Sequence, residues 1–179
     1  VYHPDLLPVP RSREILALVC RHIDEAQNAL GRRLLIENPT AYLPMAGHDW
    51  DEVDFLTEIA RRTGCGLLID VNNVHVSAAN MGFSAEDWID RAPAELVGEI
   101  HLAGHSPDPA WGQALLIDSH DAPVAEAVWR LHERLIARIG VRPTLIERDG
   151  RVPEFSELLS EQARAAQALS MALSARATA

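Results

Sequence analysis

Five short apolar runs recur along the sequence, at residues 34–36, 67–69, 97–102, 115–117 and 144–146, and each gives way to an acid or a histidine. Runs this continuous suit strands buried on both faces, because a half-exposed strand would alternate apolar and polar side chains. The intervening segments carry helical spacing, at residues 11–30, 50–63, 85–90, 124–139 and 154–173. Ser12 with Glu14, Asp49 and Ser84 supply helix-start chemistry, Pro123 and Pro153 stand near the first turns of the last two helices, and Gly31, Gly64 and Gly140 supply stops. Strand and helix alternating at roughly 30-residue spacing predict parallel strands joined by crossover helices. An open doubly wound sheet usually carries a glycine-rich turn after its first strand. Here Glu37-Asn38-Pro39 follows instead, which favours an α/β fold of the (β/α)8 TIM-barrel kind.

At 179 residues the chain is long enough for one domain with a core, and short of the roughly 250 residues of a typical complete barrel. The expectation is a single partial TIM-barrel domain over residues 1–179, holding about the last five βα units. Such a segment leaves two apolar sheet edges unpaired, so self-association as a homo-oligomer, or closure by further sequence, is expected. A formal net charge of -10 argues against nucleic acid as a partner, because phosphate binders need a dense basic face. Only two cysteines, Cys20 and Cys65, argue against a disulfide framework or a thiolate zinc site. No run approaches the roughly 18 apolar residues of a membrane span. The opening, a loop with three prolines in residues 1–10, lacks the charged-then-apolar order of a signal peptide, so a cytoplasmic protein without membrane contact is expected.

The chemistry concentrates where the runs end: Glu37, Asp70, His101, then Asp118 with His120, and Glu147. In a parallel barrel the C-terminal strand ends converge on one face, so these residues would meet in a single pocket. Carboxylate and imidazole without thiolate suit Fe, Mn or Zn. Taken alone, an acid at a strand end is more often a helix cap or ion-pair partner, and a strand histidine more often a hydrogen-bonded core residue. Repetition at all five ends favours a metal, because buried like charges repel unless a cation neutralises them. Glu37, with two carboxylate oxygens, is a candidate bridge between two cations. Asn72 and Asn73 extend the same pole, Asn73 as an oxygen ligand and Asn72 as an orienting hydrogen bond. His105 closes the segment HLAGH as a ligand, a proton donor or a substrate contact. His22 and His132 fall in helix patterns among charged residues and are expected on solvated faces; His3, His48 and His75 are expected in loops or turns. On pattern alone, a Zn- or Mn-dependent isomerase or hydrolase, and a catalytically silent fragment that only binds a peptide or partner, fit as well.

Together the strings ENPTAYL (37–43), RTGCGLLIDVNNVHVSA (62–78), EIHLAGH (99–105), LLIDSHDAPV (115–124) and PTLIERD (143–149) closely resemble the DUF692 (UPF0276) family, over nearly the whole chain. These are multinuclear non-heme iron-dependent oxidative enzymes on a xylose-isomerase-like TIM barrel, the best known acting with a partner protein in methanobactin biosynthesis. The resemblance implies two or three iron ions, O2 as co-substrate, and oxidation of cysteine or other residues in a ribosomally synthesised precursor peptide. It further implies that Glu37, Asp70, His101 and Glu147 are catalytic iron ligands, that Asp118 and His120 serve a further iron, and that Asn73 is a ligand or near neighbour. The family draws two more histidine ligands from strands upstream of the matched region, so an N-terminally truncated member is expected, lacking roughly three βα units. His75 stands where the family usually has an aromatic residue, and Arg148 where Trp is common.

Overall fold

The computed structural model describes residues 8–177, and in it strand and helix alternate around one parallel sheet. Strands β1 (Leu35–Glu37), β2 (Gly66–Asp70), β3 (Val97–Leu102) and β6 (Thr144–Ile146) lie side by side in that order, every pair parallel. The helices α1 (Arg13–Leu30), α2 (Glu52–Thr63), α3 (Val71–Met81), α4 (Ala85–Arg91), α5 (Glu126–Ile139) and α6 (Phe155–Ala177) connect and flank them. The sheet does not close among the described residues.

Local chemistry sets these limits. Ser12 accepts from the N–H of Ile15 at the start of α1, and Ser84 does the same for Asp87 in α4. Gly31 and Gly64, both in the left-handed region, end α1 and α2. The cap of α2 is Asp51, not the expected Asp49; Asp49 instead accepts from the Arg13 N–H at the start of α1. Burial of one face of α1, α2, α4 and α5 against β2 and β3 makes the core, with Leu67, Ile69, Ile100 and Leu102 fully enclosed among Leu16, Ile59, Ile89 and Leu135. Removal of that apolar area from water is the main force holding the layers together.

Two departures from the sequence reading bear on the site. The run at residues 115–117 does not join the parallel sheet. It is the second arm of an antiparallel hairpin, β4 (Ser106–Asp108) with β5 (Gly112–Ile117), turned at Trp111-Gly112 where Gly112 has φ 55°. A short connection with a positive-φ glycine makes a hairpin, whereas a parallel crossover needs a dozen or more residues. The second departure is α3, which starts immediately after β2 in a stretch expected to be loop. Toward the C-terminus, α6 continues through Ala177, four residues past the end of the helical spacing at residue 173.

Candidate metal centre

Asp70 and His101 are partners across the β2–β3 ladder at the C-terminal ends of these strands, and Glu147 follows β6 on the other side of β3. Strand geometry therefore brings them to one pole. The Glu147 N–H donates to the Leu102 carbonyl (2.9 Å), which carries the β3–β6 pairing one residue past the end of β6.

The loop after β1 builds one wall. Asn38 continues the β1–β2 ladder with its side chain: its amide oxygen accepts from the Asp70 N–H (2.9 Å) and its amide nitrogen donates to the Asp70 carbonyl (3.0 Å). The Asn38 carbonyl accepts from Asn73 Nδ2 (2.9 Å). Thr40, fully buried, sets its hydroxyl against Asn73 Oδ1 (2.7 Å) and Asp118 Oδ2 (2.9 Å). Tyr42 places its hydroxyl oxygen to accept from the Asp118 N–H (3.1 Å).

The two oxygens of Asp70 have different surroundings. Its Oδ1 caps α3 by accepting from the Asn73 N–H (2.7 Å). Its Oδ2 is buried with no hydrogen-bond partner. An orphaned carboxylate oxygen in a fully buried residue is a rarity that calls for a cation or a proton. Burial, and secondarily the charges of Asp118 and Glu37, push the Asp70 carboxyl up to about 7, against the lowering effect of the Asn73 N–H and of His120.

Around Asp70 stand two groups whose ligand atoms lie within 4.8 Å of one another: Glu37, Asp70 and His101; and Asp70, His120 and Glu147. Asp70, not Glu37, is common to both. His101 places Nδ1 2.9 Å from Glu147 Oε1 and Nε2 3.4 Å from Glu99 Oε1. His120 places Nε2 2.9 Å from Asp118 Oδ1, and Nδ1 3.2 Å from Glu147 Oε2 and 3.3 Å from Asp149 Oδ2. The contacts of both Nδ1 atoms are electrostatic, since neither has an aligned hydrogen bond. The flanking imidazoles of His101 and His120 hold the Glu147 carboxyl well below the usual range. Burial works against a charged His120, yet Asp118 and Glu147 outweigh it and raise the ring to about 11; His101 is raised in the same way, chiefly by Glu147 against burial. Glu37 is pushed up by burial, eased by His101.

His120 is held by its backbone in a conformation that residues with a Cβ rarely adopt, with φ 49°. Its N–H donates to the Gly104 carbonyl (3.0 Å), and its own carbonyl accepts from the N–H groups of Asp149 (2.9 Å) and Gly150 (3.2 Å). The strand ends of β3 and β6 thus lock the loop that aims the ring inward. Gly104 is obligatory in this lock, because a Cβ there would run into the Ala122 carbonyl.

The remaining candidates form a chain leading away from the cluster. Asn72 donates from Nδ2 to Asp118 Oδ1 (2.5 Å), and its Oδ1 lies 2.8 Å from His105 Nδ1. The His105 ring lies 4.9 Å from that of His75, centroid to centroid. His75 is therefore a half-buried residue of α3, not the loop residue expected. His132, expected on a solvated face, is fully buried in α5 with neither ring nitrogen paired and Trp129 edge-on at 6.2 Å. His22 is exposed on α1 as expected, His48 is a loop residue whose Nδ1 accepts from the Arg11 N–H (2.9 Å), and His3 lies outside the described residues. Asn38, Thr40 and Glu99 are site residues that sequence reasoning passed over. The signal available for Thr40 was its place between Asn38 and Tyr42, directly beyond a strand end.

A partly wound parallel sheet, with acids and imidazoles gathered where its strands end, defines an α/β protein of the xylose-isomerase-like barrel class. The chain resembles the crystal structure of a xylose isomerase domain containing protein from Salmonella typhimurium LT2, with TM-score 0.57 and 14% identity, over 88% of this chain and 58% of that one. A family model described as RiPP precursor modification enzyme MbnB/TglH/ChrH matches residues 1–170, and the chain belongs to that family. Curated relatives are UPF0276 proteins of Caulobacter sp. strain K31 (60% identical over 92% of this chain and 59% of the relative) and Caulobacter vibrioides strain NA1000 (59%, over 98% and 62%). Another comes from Bordetella parapertussis (51%, over 96% and 60%). The chain thus spans about three-fifths of the length of these relatives. No helix among the described residues is long and apolar enough to cross a membrane.

Proposed function

We propose that this chain carries the larger part of a non-heme iron centre that oxidises a ribosomally synthesised precursor peptide at cysteine, with O2 as co-substrate. The observation that carries the reading is Asp70, which has an unpartnered buried oxygen and is common to both candidate ligand groups. Four carboxylates (Glu37, Asp70, Asp118, Glu147) and two imidazoles (His101, His120) crowd one pole. Burial, with the charges of Asp118 and Glu37, raises the Asp70 carboxyl to about 7, so it holds a proton part of the time at neutral pH. A divalent cation would take the place of that proton. In this reading Glu37, Asp70 and His101 hold one ion, Asp70, His120 and Glu147 a second, and Asn73 with Asp118 supplies further oxygens.

The oxygen and nitrogen donor set fits ferrous iron, which when bound would supply the redox chemistry toward O2 that no side chain offers. The protein's own part is orientation. Asn38 fixes the Asp70 backbone, the β3–β6 lock aims His120, and Glu99 and Glu147 flank the two nitrogens of His101, so the ring is held from both sides. Family membership makes a peptide the substrate of this reading, and a partner protein that presents the peptide belongs to it too. O2 uptake by the iron-loaded protein should depend on a Cys-containing peptide; peptide hydrolysis or isomerisation without O2 uptake would replace the reading with a Zn or Mn enzyme.

A further inference from the structure

The chain Asp118–Asn72–His105–His75 leads away from the metal cluster, and neither candidate ligand group includes any of its members. Hydrogen-bond chemistry fixes the direction of the first two links. The Asp118 carboxylate accepts, so the Asn72 amide must turn its NH2 toward Asp118 and its oxygen toward His105. An amide oxygen only accepts, so the His105 proton must sit on Nδ1, 2.8 Å away. Nε2 is then left with a bare lone pair, and among the described residues no group donates to it. The acceptor set of Asp118 thus dictates a tautomer two residues removed in the network.

We infer that His105 is locked in the Nδ1–H form, and that its Nε2 takes the proton of the substrate thiol. This rests on the reading of the chain as a peptide-cysteine-modifying enzyme. In the step, the S–H bond breaks, an N–H bond forms at Nε2, and both electrons of the broken bond stay on sulfur. The ring becomes an imidazolium whose Nδ1–H points, through the polarised Asn72 amide, toward the negative charge of Asp118. That placement favours the charged ring as it forms. The groups facing the ring are Asp118 beyond β5 and His75 on α3, with Glu86 of α4 and Arg130 of α5 behind His75. Burial, opposed by Asp118, lowers the ring's proton affinity below the ordinary imidazole value, so His105 is neutral and able to accept at pH 7.

The tautomer is read without turnover, by 15N NMR of the histidine rings in metal-free protein at pH 8, with the His105 signals identified by their loss in His105→Gln. A protonated Nδ1 and an unprotonated Nε2 are expected, and Asn72→Ala should release the ring from this form. A His105 signal with Nε2 protonated in the wild type would overturn the inference. In the reaction, His105→Gln is expected to retain wild-type iron content and to lose about 100-fold or more in kcat/KM for a Cys-containing peptide. The acid limb of the pH profile should vanish with it. An unchanged rate would overturn the catalytic assignment, and so would loss of iron, which would make His105 a ligand. Wild-type protein that modifies no peptide would end the parent reading and the proton-transfer role with it. The NMR tautomer would still decide whether the lock exists.

Discussion

His120, at the pole of the sheet, and His132, inside the helical layer, are both shielded from water, yet their surroundings drive them to opposite charge. His120 faces Asp118, Glu147 and Asp149 and is raised to about 11; His132 has the edge of Trp129 beside it and no hydrogen-bond partner, and burial lowers it to about 4. Burial removes solvation from both rings, and nearby carboxylates decide the outcome. The acids gathered around His120 account for the difference. The same contrast separates the two regions. The helical layer is held by apolar burial, whereas the pole gathers more acids than bases.

Four substitutions break or sharpen this contrast, in decreasing order of effect. Asp70→Asn removes the carboxylate shared by the two ligand groups. Metal analysis and peptide turnover should show iron falling to one or fewer per chain and activity dropping by more than about 100-fold. His132→Leu acts on the other region. The folded ring sits at about 4, below the ordinary 6.5, so the unfolded chain binds the extra proton between these values. Stability is therefore lost as pH falls from 6.5 toward 4, by about 3 kcal/mol for this group. Urea denaturation across that window should show a flatter acid side in His132→Leu than in the wild type; parallel curves would mean that His132 has a partner. Asn38→Ala strips the buried N–H and carbonyl of Asp70 of their partners and should lower stability by about 2 kcal/mol, with iron affinity falling too. Arg134→Ala, which breaks a half-exposed ion pair with Asp90 far from the pole, should change the denaturation free energy by less than about 1 kcal/mol and leave iron binding untouched.

Much of this was legible in the sequence, and the places where it was not have physical causes. The strands β1, β2, β3 and β6 and the acids and histidines that close them follow from continuous apolar runs; β2 and β3 are largely buried as such runs predict, whereas β1 and β6, at the two edges of the sheet, are only half-buried and Leu145 is exposed. The run at 115–117 has the same composition, but its partner is the short segment 106–108, and pairing is decided by the turn between them. Helix α3 was hidden because Asn72 and Asn73 read as loop residues. Asp70 caps the helix while serving the pole, so the Asn side chains begin a buried helix. The burial of His132 was hidden by its charged sequence neighbours, Arg130, Glu133 and Arg134, which turn outward while its own face of α5 turns to the core. The site residues Asn38 and Thr40 lie in a loop where nothing in their identity separates them from ordinary turn formers.

The most direct test of the central claim is the iron content of active protein purified without oxygen, measured together with peptide modification on the same sample. Two or more irons per chain, lost together with activity in Asp70→Asn, is the result expected. Active protein with fewer than two irons per chain would contradict it.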